Sequence, residues 1–221
     1  MSICGVVQGR TMEQTISDIM ILNDIVDLVE IRFDYREEEL DLKKIKGASR
    51  RPLIATNRSY EEGGVREEPL SERLKILIEA SEEGFQYVDL ELFISGLEDE
   101  IKEISKNGTK IIGSHHDFMG TPTIELMENL HLKGRRAGAD LVKIIGTATK
   151  KEDNLVYLTF NQRHPGNVSF GMGDEGIISR IISPLMGAAF TYASLGDKKS
   201  APGQLSVSRL RDIYRLMGFE S

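Results

Sequence analysis

The sequence has no tryptophan, a single cysteine and only six prolines among 221 residues, and aromatic residues make up 6% of it. Cys4 alone cannot close an internal disulfide, and a chain of this size does not need one. Set in an apolar opening stretch, it reads as a buried, inert thiol. The four histidines and one cysteine lack the paired spacing of a zinc finger. No apolar run approaches the roughly 20 residues needed to cross a bilayer, so no membrane association is expected. Met1–Gly5 shows no basic segment leading into a long apolar one, so no signal peptide is expected and the reading is cytoplasmic. Basic residues are also short: 28 against 35 acidic ones, for a formal charge of -7 and a pI near 5.3. Without a basic stripe to follow phosphates, the chain gives no support to nucleic-acid binding. An anionic small molecule would have to be held by individual arginines against an unfavourable overall field.

Hydrophobic residues make up 40% of the chain and charged residues 29%, enough to fill a sizeable core. Two hydrophobic periods alternate along it. Strand-length, β-branched runs fall at Ile3–Val7, Leu28–Phe33, Leu53–Thr56, Tyr87–Leu92, Lys110–Gly113, Leu141–Ile145, Val168–Met172 and Ala188–Tyr192. Several are apolar on both faces, as in a parallel sheet covered by helices. Helical spacing fills Met12–Leu22, Leu70–Ser81, Leu97–Ile104, Thr123–Gly138 and Leu205–Met217. Asp41–Lys46 is short for a helix, and Lys150–Gln162 is polar enough to read as irregular. No linker or shift in composition divides the chain. Eight strand–helix units predict an α/β fold, a single (β/α)8 TIM barrel over residues 1–221. The rival, a doubly wound open sheet, usually carries a Gly-rich phosphate loop after its first strand, and Val7-Gln8-Gly9-Arg10-Thr11 is not one.

Barrel strands face the packed interior on alternate residues, so a charge within a strand requires a reason. Glu30, Arg32 and Asp34 share the face opposite Val29, Ile31 and Phe33, which turns three charges toward the axis. Glu30 and Arg32 could brace the barrel or serve a ligand. Lys143 lies within Leu141-Val142-Lys143-Ile144-Ile145. There it either reaches solvent at the strand end or is buried, and burial disfavours the ammonium form and suits an amine nucleophile. In the fifth strand, Ile112, Ser114 and His116 share one face and His115 takes the other. His116 would then look into the C-terminal mouth, where a histidine can take and return a proton. Arg58 stands where the third strand gives way to a loop. Glu62 precedes paired glycines that let this loop fold back, where it could fix a histidine tautomer. Arg180 lies in the first turns after the seventh strand, a place for bidentate capture of a carboxylate. Met172, at that strand's end, reads as packing or as an apolar wall. Gly196–Gln204 has the composition of a lid.

Together these segments resemble the type I 3-dehydroquinate dehydratases, the Schiff-base dehydratases of the shikimate pathway. The resemblance is carried by Ser114-His115-His116-Asp117-Phe118, a strand lysine 27 residues on, Ser179-Arg180 and Ser200-Ala201-Pro202-Gly203-Gln204. It implies that 3-dehydroquinate is dehydrated with Lys143 as imine-forming lysine, His116 as general acid–base residue and Glu62 orienting the histidine. It implies that Arg180 holds the substrate carboxylate, and that Glu30, Arg32 and Arg58 serve ring hydroxyls and the surrounding charges. Ser200 and Gln204 would lie on the closing loop. It further implies no metal, no organic cofactor and a homodimer. The chain departs from many members of the family at Phe170, usually methionine, and Tyr192, usually phenylalanine. Two rivals remain: a Schiff-base aldolase on the same fold, and a binding barrel with an incidental lysine. The amine is expected to be held neutral by burial with Arg32 or Arg58 nearby.

Overall fold

The computed structural model describes residues 1–219. Eight parallel strands, β1 (Ile3–Val7), β2 (Leu28–Arg32), β3 (Leu53–Thr56), β4 (Tyr87–Glu91), β5 (Lys110–Asp117), β6 (Leu141–Thr147), β7 (Val168–Met172) and β8 (Thr191–Ser194), form one sheet. Its order is β7-β6-β5-β4-β3-β2-β1-β8, so β1 pairs with both β2 and β8 and the sheet bends into a nearly closed barrel. The ends meet through the Phe170 and Tyr192 rings, with centroids 6.3 Å apart, and through the Ala189 amide donating to Asn167 at 2.8 Å. Helices α1 (Met12–Leu22), α2 (Leu42–Ala48), α3 (Leu70–Glu82), α4 (Leu97–Ser105), α5 (Ile124–Ala137), α6 (Asn154–Arg163), α7 (Ile177–Ile182) and α8 (Val207–Leu216) follow the strands in turn. The architecture is the expected (β/α)8 barrel.

Strand alternation divides the core in two. Ile3, Val7, Val29, Ile31, Leu53, Ala55, Val142 and Ile144 pack outward against the helices. Cys4, Val6, Ile54, Ile112, Leu141, Ile145, Val168, Phe170 and Met172 fill the axis. Each β-branched run therefore buries both faces, the pattern of a parallel sheet covered by helices. Burying a side chain of this size is worth about 1.5–3 kcal/mol. Cys4 is free and buried. Helix starts follow local chemistry: Thr11, Thr123 and Ser206 each accept a backbone N–H three residues on, filling an orphan donor of the first turn.

Two segments depart from expectation. Asp41–Lys46 was expected to be too short, yet α2 forms because Asp41 accepts from the Lys44 amide at 3.0 Å and Leu42 and Ile45 are buried. The stretch 150–162, expected to be irregular, is a 3-10 turn at Lys151–Asp153 running into α6. Its polarity misleads because the polar residues are used internally. Asn154 donates to the Glu175 carbonyl at 2.7 Å and Asn161 to that of Ser169 at 2.7 Å, while Tyr157 and Phe160 fill the helix layer. Strand boundaries also move. β5 continues to Asp117, carrying both histidines on the strand, and β8 begins at Thr191 rather than Ala188.

Candidate active site

At the C-terminal mouth of the barrel, all ten side chains singled out from the sequence line one cavity of about 510 Å³, counting the space open at its entrance. They arrive from different strands: Glu30 and Arg32 from β2, Arg58 and Glu62 beyond β3, His116 from β5, Lys143 from β6, and Met172 and Arg180 from β7 and α7. Ser200 and Gln204 come from the loop after β8. Phe170 and Tyr192 line the same space.

Lys143 is 5% exposed, and its Nζ lies 3.1 Å from Asp89 Oδ2, 3.7 Å from Glu30 Oε1 and 4.3 Å above the Tyr192 ring. Its neighbours are thus carboxylates and an aromatic face, where the sequence reading placed arginines. Arg58 stands one step back, with Nη2 2.7 Å from Asp89 Oδ1. Ser114 Oγ accepts from Arg58 Nη1 at 2.7 Å and donates to Asp89 Oδ1. Burial alone would push the Asp89 carboxyl up, but the Arg58 and Lys143 charges and the Ser114 hydroxyl hold it at about 2. Asp89 is therefore a fixed anion. Of the two readings left open for Glu30 and Arg32, the mutual brace is not formed among the described residues. Arg32 grips Asp34 with two bonds of 2.7 Å, and Glu30 accepts from Thr56 Oγ1 at 2.9 Å.

His116 is built for one tautomer. Glu62 Oε2 lies 2.9 Å from the ring Nδ1 and also accepts the His116 backbone N–H at 3.0 Å. With a proton on Nδ1 facing this carboxylate, Nε2 is the basic nitrogen. Burial lowers the His116 imidazole well below the usual histidine range, with the Arg58 and Lys143 charges adding to it and Glu62 opposing. Burial would raise the Glu62 carboxyl, but the nearby His115 ring, the bond from His116 and the Arg58 charge outweigh it and hold it at about 2. The result is an ionised orienting acid beside a neutral imidazole. His115, on the opposite strand face, brings its Nδ1 to 3.7 Å from the second Glu62 oxygen and meets the Phe93 ring edge-on.

Arg180 has a different character. It is 1% exposed and lies 4.3 Å over the Phe170 ring; among the described residues its Nε has no hydrogen-bond partner. Its Nη2 makes a long 3.4 Å bond to the Pro202 carbonyl. Burial without a carboxylate pulls this guanidinium down to about 9. Among the described residues this cation is dry and has no carboxylate partner, an arrangement that costs free energy. The loop carrying Pro202 is itself fixed: Gln204 Oε1 accepts from the Ser200 amide at 2.7 Å and its hydroxyl at 3.1 Å.

Residues 3–221 match the profile of the family described as Type I 3-dehydroquinase. The chain belongs to this family. It is 40% identical over 216 residues to a 3-dehydroquinate dehydratase of Thermococcus gammatolerans, covering 97% of this chain and 98% of that protein. With the 3-dehydroquinate dehydratase of Methanocaldococcus jannaschii, identity is 35% over 224 residues, covering 97% and 98%. Among solved structures, a 3-dehydroquinate dehydratase from Geobacillus kaustophilus superposes with a TM-score of 0.88 at 25% identity, covering 100% of this chain and 92% of that one. The type I enzyme of Clostridium difficile, solved with covalently modified comenic acid, gives 0.87 at 27% identity, covering 98% and 91%. Type I 3-dehydroquinases are hydro-lyases, so this chain is an enzyme of that class.

In this type I 3-dehydroquinase, sequence reasoning passed over Asp89 and Glu91. The signal was present: in Tyr87-Val88-Asp89-Leu90-Glu91 the acids alternate with apolar residues just as Glu30 and Arg32 do in β2. Both acids are buried, Asp89 against Lys143 and Glu91 against Arg58 and Arg73.

Proposed function

We propose that the chain converts 3-dehydroquinate to 3-dehydroshikimate in the shikimate pathway through an imine on Lys143. The observation that carries this reading is the joint presence, in one cavity, of a buried amine, a neutral imidazole with its tautomer fixed, and a buried arginine lacking a counter-ion among the described residues. Arg180 pairs with the substrate carboxylate, replacing its weak bond to Pro202. That pairing sets the ring with its ketone toward Lys143. The amine reacts in its neutral form: its proton passes to solvent as substrate enters and is returned when the carbinolamine hydroxyl leaves as water, so His116 stays neutral, and Asp89, held as an anion, stays ionised. Lys143 Nζ attacks the carbonyl carbon, and the carbinolamine loses water to form an iminium. His116 Nε2 removes the adjacent proton, and the electron pair moves into the iminium as an enamine. When the enamine collapses, the β carbon–oxygen bond breaks and His116 returns the proton to the leaving hydroxyl. Water then hydrolyses the product imine and frees the amine. Glu30, Arg32 and Arg58 take the ring hydroxyls and balance the charge, Met172 lines the apolar wall, and Ser200 and Gln204 close the mouth. The scheme uses neither metal nor organic cofactor.

A homodimer in the cytoplasm belongs to the same proposal, on the family resemblance. It is compatible with the finding that no helix among the described residues is long and apolar enough to cross a membrane. Against an aldolase for phosphorylated sugars stands the loop after β7, where Asp174 and Glu175 would repel a phosphate. The likeness to 3-hexulose-6-phosphate synthase, with a TM-score of 0.63 at 12% identity, shows the fold alone. The test is direct. Purified enzyme given 3-dehydroquinate should generate the ultraviolet absorbance of the conjugated enone, and Lys143→Ala should not. An enone formed as fast by the variant overturns the proposal.

A further inference from the structure

Five buried charges of alternating sign run from the helix layer to the reactive amine. Arg73, on α3, is 7% exposed and faces inward. Its Nη2 is bonded to Glu91 Oε2, and its Nε donates to the Asn57 carbonyl at 3.0 Å. The other Glu91 oxygen accepts from Arg58 Nη1 at 3.2 Å and from the Ser59 amide at 2.9 Å. Arg58 in turn holds Asp89 at 2.7 Å, and Asp89 holds Lys143 at 3.1 Å. Arg73 does not line the cavity, yet it is the outer end of this chain of contacts.

We propose that Arg73 is a positioning residue for the reaction: by satisfying Glu91, it leaves Arg58 free to neutralise Asp89 and so governs how tightly Asp89 holds Lys143. The inference rests on the imine reading of Lys143. Without Arg73, Glu91 carries an unbalanced buried charge and draws Arg58 toward itself. Asp89 then has Lys143 as its main partner, and the amine gives up its proton less readily. Removing the Glu91 charge acts in the opposite sense, because Arg58 turns wholly to Asp89. The other groups around the amine are Glu30 from β2, the Tyr192 ring from β8, Cys4 from β1 and His116 from β5, and none of them touches Arg73 or Glu91. An ordinary brace between α3 and β4 would also bury an Arg–Glu pair, but its loss would weaken the fold without moving the pH at which the amine reacts.

The experiment follows imine formation on the full-length enzyme with 3-dehydroquinate and cyanoborohydride across a pH series, reading the rate of mass gain at Lys143. Arg73→Met should move the midpoint of the pH rise upward by roughly one unit, the scale of one screened buried charge. Glu91→Gln should move it down, and Arg73→Lys should stay near the parent. Should Arg73→Met fail to fold, Glu91→Gln and Arg73→Lys still decide. Midpoints unchanged in every variant, or moved in the same direction by Arg73→Met and Glu91→Gln, overturn the proposal. A parent enzyme that gains no mass at Lys143 at any pH overturns the imine reading instead, and the two failures are thereby distinct.

Discussion

The Arg180 guanidinium meets the Pro202 carbonyl through a single bond of 3.4 Å, although the side chain is otherwise sealed from water. Arg180 and the loop 200–204 are thus tied by a weak contact, which the proposed scheme has the substrate carboxylate replace. Arg180→Met should raise KM and lower kcat/KM by about 100-fold or more, the cost of losing a buried charge-assisted pair. It should also raise the ligand-free melting temperature, because an unpaired buried cation is removed. Steady-state kinetics and thermal unfolding on the same variant check both parts.

In the proposed scheme, the His116–Glu62 pair separates imine formation from proton transfer. His116→Ala should lower kcat about 10²- to 10⁴-fold, the usual contribution of general acid–base catalysis, while the imine still forms and accumulates. Single-turnover quenching measures this: trapped adduct with little enone is the expected outcome, and wild-type dehydration would remove His116 from its role.

Glu62 also makes a pH prediction. Its folded value of about 2 lies below the ordinary 4.5, so its stabilisation is fully present above about 4.5 and is lost as pH falls from there toward 2. A shift of that size corresponds to about 3 kcal/mol. Glu62→Gln should flatten the acid limb of stability in this window, read from urea midpoints between pH 2 and 6. Because Glu62 is the partner that raises the His116 imidazole, the same variant should move the acid limb of kcat to lower pH while lowering its plateau.

Much of this was legible in the sequence, and the failures have common causes. Lys143, His116 and Glu30 were readable because a polar residue at an inward strand position breaks a strict two-residue period, and the fold repeats that period eight times. The α6 segment was not readable, because Asn154 and Asn161 are buried to satisfy neighbouring carbonyls and so erase the apolar stripe. The partners of Lys143 were missed for a different reason. Periodicity tells which side chains face the axis, but not which of them meet across it. Arg32 proved to be matched with Asp34 two residues away, and Asp89, 54 residues from Lys143, took the place expected for an arginine.

The loop of residues 200–204 depends on one backbone conformation. Gly203 has φ +72, and a Cβ there would lie 2.2 Å from the Gly173 carbonyl oxygen, whose own amide bonds Pro202 at 3.2 Å. Gly203→Ala should displace Ser200 and Gln204 at a cost of roughly 1–3 kcal/mol to the loop. KM should then rise by about tenfold with a smaller fall in kcat, as measured by initial rates.

The proposed chemistry requires covalent attachment at a single nitrogen. Enzyme incubated with 3-dehydroquinate and borohydride, then digested and weighed by mass spectrometry, should carry the reduced ligand on the peptide containing Lys143. The Arg180→Met variant should show the adduct only at raised ligand concentration. An unmodified Lys143 in an enzyme that still forms the enone, or the ligand's mass on a different lysine, would contradict it.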